Sequence, residues 1–194
     1  YMDEKDANDN LTGKRVTTSD YASANYYYVN KSSLPKVYGG FNTSLSWKGF
    51  DLSAIFAYSI GGYIYNRDIT MILHNGSLEG RDWSTEILKR WTPENRYTDV
   101  PALSTTSNNW NSASTRFLQN NSYMRLKNLT LSYDLPKQWI SKLALSSVQV
   151  FVQGDNLFTI HRNQGLDPEQ GITGITYYRY PAMRTISGGI NLSF

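Results

Sequence analysis

The chain has 194 residues and a formal charge of +3, too small an excess to point to nucleic acid as a partner. It has no Cys, which removes disulfide frameworks, thiolate zinc sites and thiol nucleophiles. Its mean hydropathy of −0.49 and the lack of any run of roughly 18 apolar residues exclude a transmembrane helix, but not a membrane barrel, whose alternating strands average to a mild hydropathy.

The first 36 residues are polar and are expected to be an extracellular loop or strand remnant. The opening Tyr1-Met2-Asp3-Glu4-Lys5-Asp6 has no apolar core, so the chain reads as a fragment whose start is removed. Asp6-Ala7-Asn8-Asp9 is faintly like a calcium loop but lacks the sixth-position Gly and twelfth-position Glu, so no metal is assigned. From Gly39 to Trp47 the residues Phe41, Thr43, Leu45 and Trp47 share one face. Lys48-Gly49 predicts a two-residue turn, and Phe50, Leu52, Ala54, Phe56, Tyr58 and Ile60 continue the alternation in a second strand. Residues 61–115 form a long excursion with one helix predicted near Asp82 to Trp91, capped by Asp82, supported by a Glu86–Arg90 pair and stopped by Pro93.

A third strand is predicted over Arg116 to Leu135, with Leu129, Leu131, Tyr133 and Leu135 opposite Asn128, Thr130 and Ser132. Upstream, Met124 and Leu126 fall with the polar residues and Arg125 and Lys127 with the apolar ones. Either a bulge switches the faces there, or the two cations snorkel toward lipid headgroups. Residues 136–145 make a short connector with one helical turn. Val148, Val150 and Val152 mark a fourth strand, 158–181 a second long loop, and Ile186, Ile190, Leu192 and Phe194 a last strand.

Alternation alone also suits a soluble antiparallel sheet. Three features favour a transmembrane barrel. Connections alternate short and long. Trp47, Phe50, Tyr133, Trp139 and Phe194 gather on the short-turn side as an interfacial girdle would. The last strand closes on an aromatic residue, read as an assembly signal at Phe194. The expected fold is therefore all-β: about the last five strands of an antiparallel transmembrane β-barrel, with long extracellular loops and one short loop helix. Residues 37–194 make up this incomplete barrel domain. Phe41, Leu45, Trp47, Phe50, Leu52, Phe56, Leu131, Val150, Ile190 and Leu192 are expected to face the membrane. Asn42, Ser44, Ser46, Asp51, Ser53, Thr130, Ser132, Gln149, Gln153, Asn191 and Ser193 would line a wet lumen.

Several segments together carry a resemblance. They are Leu34-Pro35-Lys36-Val37-Tyr38-Gly39-Gly40-Phe41, Lys48-Gly49-Phe50-Asp51-Leu52-Ser53, Ile87-Leu88-Lys89-Arg90-Trp91-Thr92-Pro93-Glu94-Asn95 and Thr98-Asp99-Val100-Pro101. Tyr123, Arg125 to Tyr133, Leu135-Pro136, Gly154-Asp155-Asn156-Leu157-Phe158, Gly165-Leu166-Asp167-Pro168-Glu169 and Arg184-Thr185-Ile186-Ser187-Gly188-Gly189 follow in order. In sequence and spacing they resemble the C-terminal part of SusC/RagA-family TonB-dependent outer-membrane transporters. The resemblance implies a barrel of about 22 strands with an N-terminal plug. It implies import of oligosaccharides or peptides, a SusD-like surface lipoprotein as a lid, and energy from the TonB system through a part not in this sequence.

No catalytic constellation is visible, so an enzyme is not expected and no cofactor is assigned; His74 and His161 sit in predicted loops, with no paired catalytic residue visible in the sequence. The loop aromatics Trp83, Trp91, Trp110, Tyr177 and Tyr178 are candidates to stack on cargo. For Trp83 and Trp91, packing of the loop helix on the barrel rim is preferred. For the other three, cargo contact, lid contact and neither stay open. The alternatives are a soluble extracellular β-domain binding glycans or a protein partner, and a passive porin without plug or TonB box.

Overall fold

The computed structural model describes every residue except 19, 75–79, 105–108, 142–144, 166, 170–171 and 177, and for Trp110 the backbone only. Among the described residues nine strands run in chain order: β1 (Met2–Lys5), β2 (Leu11–Val16), β3 (Val37–Trp47), β4 (Phe50–Ile60), β5 (Tyr63–Tyr65), β6 (Leu118–Asn120), β7 (Tyr123–Asp134), β8 (Ser147–His161) and β9 (Thr185–Ser193). The same residues form two short helices, α1 (Arg67–Ile72) and α2 (Lys137–Ile140), and three 3₁₀ turns in the connections. β3-β4-β7-β8-β9 form one antiparallel sheet in which each strand pairs with its neighbour in chain order; β1-β2 and β5-β6 are separate pairs.

The chain divides into two compact units. One comprises Tyr1–Lys31, Tyr65–Leu118 and Ile175–Tyr177; the other comprises Ser32–Ile64, Gln119–Gly174 and Tyr178–Phe194 and holds the five-stranded sheet. In the first unit, the stretch expected to be polar loop or strand remnant contains the β1-β2 hairpin. Asp6 closes its turn by accepting from the backbone N–H groups of Asn8 (2.8 Å) and Asn10 (2.9 Å). These bonds draw the Asp6 carboxyl below its ordinary range, Asn10 contributing most. They also give its carboxylate a structural task in place of the weak calcium pattern. Among its described residues, Leu73, Ile87, Val100 and Phe117 are the buried apolar ones.

The helix expected over Asp82 to Trp91 is corrected: only a 3₁₀ segment, Thr85–Lys89, forms there. Its cap is Ser84, which accepts from Glu86 N, and Glu86 pairs with Lys89 at 2.8 Å instead of with Arg90. At three residues per turn the i+3 partner eclipses, so the tighter winding selects Lys89. The six-residue α1 starts at Asn66, whose side chain accepts from Ile69 N at 3.1 Å. Asn66 followed by Asp68 was its sequence signal.

In the second unit, β4 has the predicted bounds and Lys48-Gly49 makes the predicted turn. Trp47 pairs with Phe50, and Lys48 (φ 48°) and Gly49 (φ 87°) both take positive φ, the type I′ geometry whose twist matches a hairpin. A Cβ at position 49 would also come within 3.3 Å of the Tyr133 ring. Gly49→Val is expected to destabilise the full-length protein by about 1–2 kcal/mol or more, measured as a lower urea midpoint in lipid vesicles. An unchanged midpoint would count against the turn assignment. At the same end, the predicted single helical turn forms as α2, which packs on β8 and buries Ile140.

Candidate functional site

Side chains alternate across a strand, so the register decides which residues share a face. Leu45, Leu52, Leu131, Val152 and Gly188 form one row across the sheet; Trp47, Phe50, Tyr133, Val150 and Ile190 form the next. Phe41, Phe56, Leu126 and Phe158 make a third row, with the Phe41 and Phe56 rings stacked at 4.7 Å. All ten residues expected to face lipid lie on this one surface. All but the half-buried Phe56 are exposed, Leu45 at 67% and Ile190 at 63%. At its turn end the Phe50 and Tyr133 rings meet at 4.4 Å, and Lys48 Nζ lies 4.9 Å from the centre of the Trp47 ring.

The opposite surface is polar and knitted together. Ser44, Ser53, Thr130, Gln153 and Ser187 form one row, and Asn42, Ile55, Asn128, Asp155 and Thr185 the next. Asn128 Nδ2 donates to Asp155 at 2.8 Å, Thr130 Oγ1 donates to Asn128 Oδ1 at 2.9 Å, and Gln153 Nε2 donates to Asp155 at 3.2 Å. Gln149 donates to Asp134 at 3.0 Å and accepts from Asn191 at 3.2 Å, while Ser46 donates to Asp51. Among the residues expected to line a lumen, Asn42, Ser44, Ser46, Asp51, Ser53, Thr130, Gln149, Gln153 and Asn191 lie on this surface; Asn128, Asp134, Asp155, Thr185 and Ser187 join them.

The muddled parity near Arg125 is resolved by a bulge. β4 runs on without interruption while Lys127 is the extra residue in β7, and Asn156 and Leu157 are extra in β8. Asn156 takes φ 52°, and Leu157 folds over Gly154, where an added Cβ would come within 2.7 Å of its side chain. The offset returns Met124 and Leu126 to the apolar surface and sets Arg125 in register with Ala57 and Thr159 on the polar one. β8 consequently continues to His161 instead of ending before Phe158.

Arg125 and Lys127 do not snorkel outward; both end on loop carboxylates. Arg125 donates to Thr159 Oγ1 (2.8 Å), Glu169 (2.7 Å) and Asp167, and Lys127 reaches Glu169 at 2.9 Å. The Arg125 side chain is 4% exposed and that of Asp167 6%. Asp167 also accepts from the backbone N–H groups of Glu169 (2.9 Å) and Ala182 (2.6 Å). Burial alone would raise the Asp167 carboxyl. The Ala182 and Glu169 N–H groups and the Arg125 guanidinium outweigh it and hold the carboxyl below its ordinary range. Asn121 joins the same cluster, donating to Pro168 O at 2.8 Å and accepting from Asn163 at 3.0 Å. A cavity of about 340 Å³ lies beside it, bounded by Arg125, Thr159, His161, Asp167, Pro168 and Ala182. Sequence reading noted the Asp167-Pro168-Glu169 motif but gave it no partner.

Of the loop aromatics, Trp83 is partly exposed and meets the buried His74 edge-on at 5.3 Å; Trp91 donates its backbone N–H to Val100 O at 2.8 Å. Tyr178 is exposed in the other unit. Tyr177 and the Trp110 side chain lie outside the described residues. His161 Nδ1 sits 2.9 Å from Asn163 O. Unassigned from sequence, Tyr1, Tyr21, Tyr26, Tyr27, Asp20 and Asn109 help line a cavity of about 440 Å³ in the first unit. The run Tyr26-Tyr27-Tyr28 was its only signal.

No protein-family model matches the chain. TonB-dependent receptor P3 of Formosa agariphila is 33% identical over 166 residues, which cover 80% of this chain and 16% of that protein. TonB-dependent receptor SusC of Bacteroides thetaiotaomicron is 27% identical over 168 residues, 86% of this chain and 16% of that one. The chain thus spans about a sixth of the length of these curated relatives. Among solved structures, the RagAB peptide importer in its closed-closed state superposes with a TM-score of 0.80 at 34% identity, over 98% of this chain and 20% of that one. Its open-open state gives 0.79 at 36% identity, over 92% and 19%.

Proposed function

The chain belongs to the SusC/RagA family of TonB-dependent outer-membrane transporters, as a segment of the β-barrel, and from that premise we propose that the full-length protein imports oligosaccharides or peptides through its lumen. A SusD-like lipoprotein covers its extracellular face, and the TonB system supplies the energy. Lipid meets the face carrying Phe41, Leu52, Val150 and Ile190; water and cargo meet the face carrying Ser53, Thr130 and Gln153.

One observation carries the face assignment. The second unit lays loop residues over the polar surface of its sheet, at Arg125, and leaves most large apolar side chains of the other surface exposed, Phe41, Leu45, Leu52, Val150 and Ile190 among them. A soluble sheet does the reverse, because covering the apolar face is what stabilises it in water. Among the described residues no strand pairs with the outer edges of β3 and β9, which adds support. Such edges are not tolerated in hydrocarbon, so strands outside this chain must close the barrel.

The test is growth of the host on oligosaccharides or on peptides as sole nutrient, with the full-length gene deleted and then restored. Deletion is expected to abolish growth on one of the two classes, and removal of TonB or of a co-purifying surface lipoprotein should reproduce that loss. Unimpaired growth on both classes, with the protein present in the wild-type outer membrane, would count against import.

A further inference from the structure

The ion cluster at Arg125 does more than neutralise charge. Asp167 holds two points of one loop, the N–H groups of Glu169 and of Ala182, while Arg125 ties that carboxylate and Glu169 to the middle strand of the sheet. Lys127 adds a second bond to Glu169 from the bulge, Asn121 holds Pro168, and Ser33 Oγ donates to Ile172 O at 2.9 Å. Every one of these anchors lies at the long-loop end of the strands. The cross-strand neighbours of Arg125, Ala57 and Thr159, belong to the same polar surface as Ser53 and Thr130. A loop free to swing out into water would not have Arg125 and Asp167 almost wholly buried, since buried charge is tolerated only where its partners are fixed.

We propose that Arg125 is a positioning residue that seats the loop around Asp167, Pro168 and Glu169 against the lumen wall as a fixed sill, narrowing the passage at its extracellular end. The proposal rests on the reading of the polar face as lumen. The sill is static in the resting protein: its pairs are mutually satisfied and do not wait for a ligand. Its four charges cancel, two cations against two carboxylates, so the sill selects by size and not by charge.

The experiment uses the full-length transporter in outer-membrane vesicles, with a cysteine introduced at Ser53, deeper on the same face. A small membrane-impermeant maleimide and a bulky polyethylene-glycol-linked maleimide are added from outside, in the parent and in R125M. Both are expected to contrast sharply in the parent, the small reagent reacting and the bulky one excluded. In R125M the bulky reagent should gain at least about tenfold in rate, since loss of a buried ion partner frees the loop. Amide exchange at Glu169 and Ala182 should accelerate in the same variant while the β3 and β4 amides keep their protection. If R125M does not assemble, D167N, which removes the charge and keeps the shape, is read the same way.

Unchanged exchange at Glu169 and Ala182 overturns the lock. Faster exchange with unchanged exclusion of the bulky reagent overturns the sill. Failure of the lumen reading is recognised separately, by a cysteine at position 53 that resists even the small reagent in every variant while one at Leu52 accepts it; the sill then falls with that reading.

Discussion

Leu129→Arg in the full-length protein is expected to deplete the assembled barrel severely, while Thr130→Arg one residue away leaves it largely intact. Both positions lie near the middle of β7, the central strand of the sheet, and their side chains point to opposite faces. Leu129 stands between Ala54 and Gly154 on the apolar surface, Thr130 between Ser53 and Gln153 on the polar one. A cation facing lipid near the bilayer midplane costs about 2–4 kcal/mol, against little on a wet lumen. Thr130 does lose its 2.9 Å bond to Asn128, worth about 1 kcal/mol, so a small effect remains. The check is the fraction of folded, heat-modifiable barrel on gels of outer membranes. Equal losses for the two variants would remove the basis for assigning one face to lipid.

The second large effect is expected at Arg125. Replacing it with Met leaves Asp167 buried without its guanidinium and Glu169 with Lys127 alone, a loss of about 3–5 kcal/mol for a broken buried pair. Removing the carboxylates as well, in Arg125→Met combined with Asp167→Leu and Glu169→Gln, should recover most of that loss, because the charge that then lacks its carboxylate, Lys127, is 35% exposed and stays hydrated, while the buried charges are gone. Urea unfolding in vesicles measures both; a triple variant no more stable than the single one would show that the ion pairs are not the origin of the loss. Acid acts on the same cluster. The Asp167 carboxyl is held below its ordinary range of about 3.9, so its contribution is complete above that value. It is lost only as pH falls through the depressed folded-state value. Among the groups facing it are Arg125, Glu169, Tyr123 and, across the cavity, His161.

Much of the sheet was legible because the signals are local. Phe50, Leu52, Ala54 and Phe56 announce β4 by alternation, and Lys48-Gly49 announces its turn by the one residue type that takes positive φ without strain. The helix at Asp82 to Trp91 failed for the complementary reason. Its spacing of Trp83, Ile87 and Trp91 was a valid local pattern, but Ser84 makes the cap and the segment winds as a short 3₁₀ turn. The Phe158 boundary failed because an extra pair of residues looks, from within one strand, like the end of that strand.

By itself the sequence determined the five strands of the main sheet, though not the far end of β8, their short turns, the polar and apolar identity of each face away from the bulge and the family they resemble, since period-two patterning and turn chemistry depend on residues a few positions apart. Only the tertiary structure decided where Arg125 and Lys127 point and what they hold. A bulge is an offset between partner strands and has no meaning within a single one. The carboxylates that complete the lock come from 42 and 44 residues further along the chain, a separation over which no local pattern carries information.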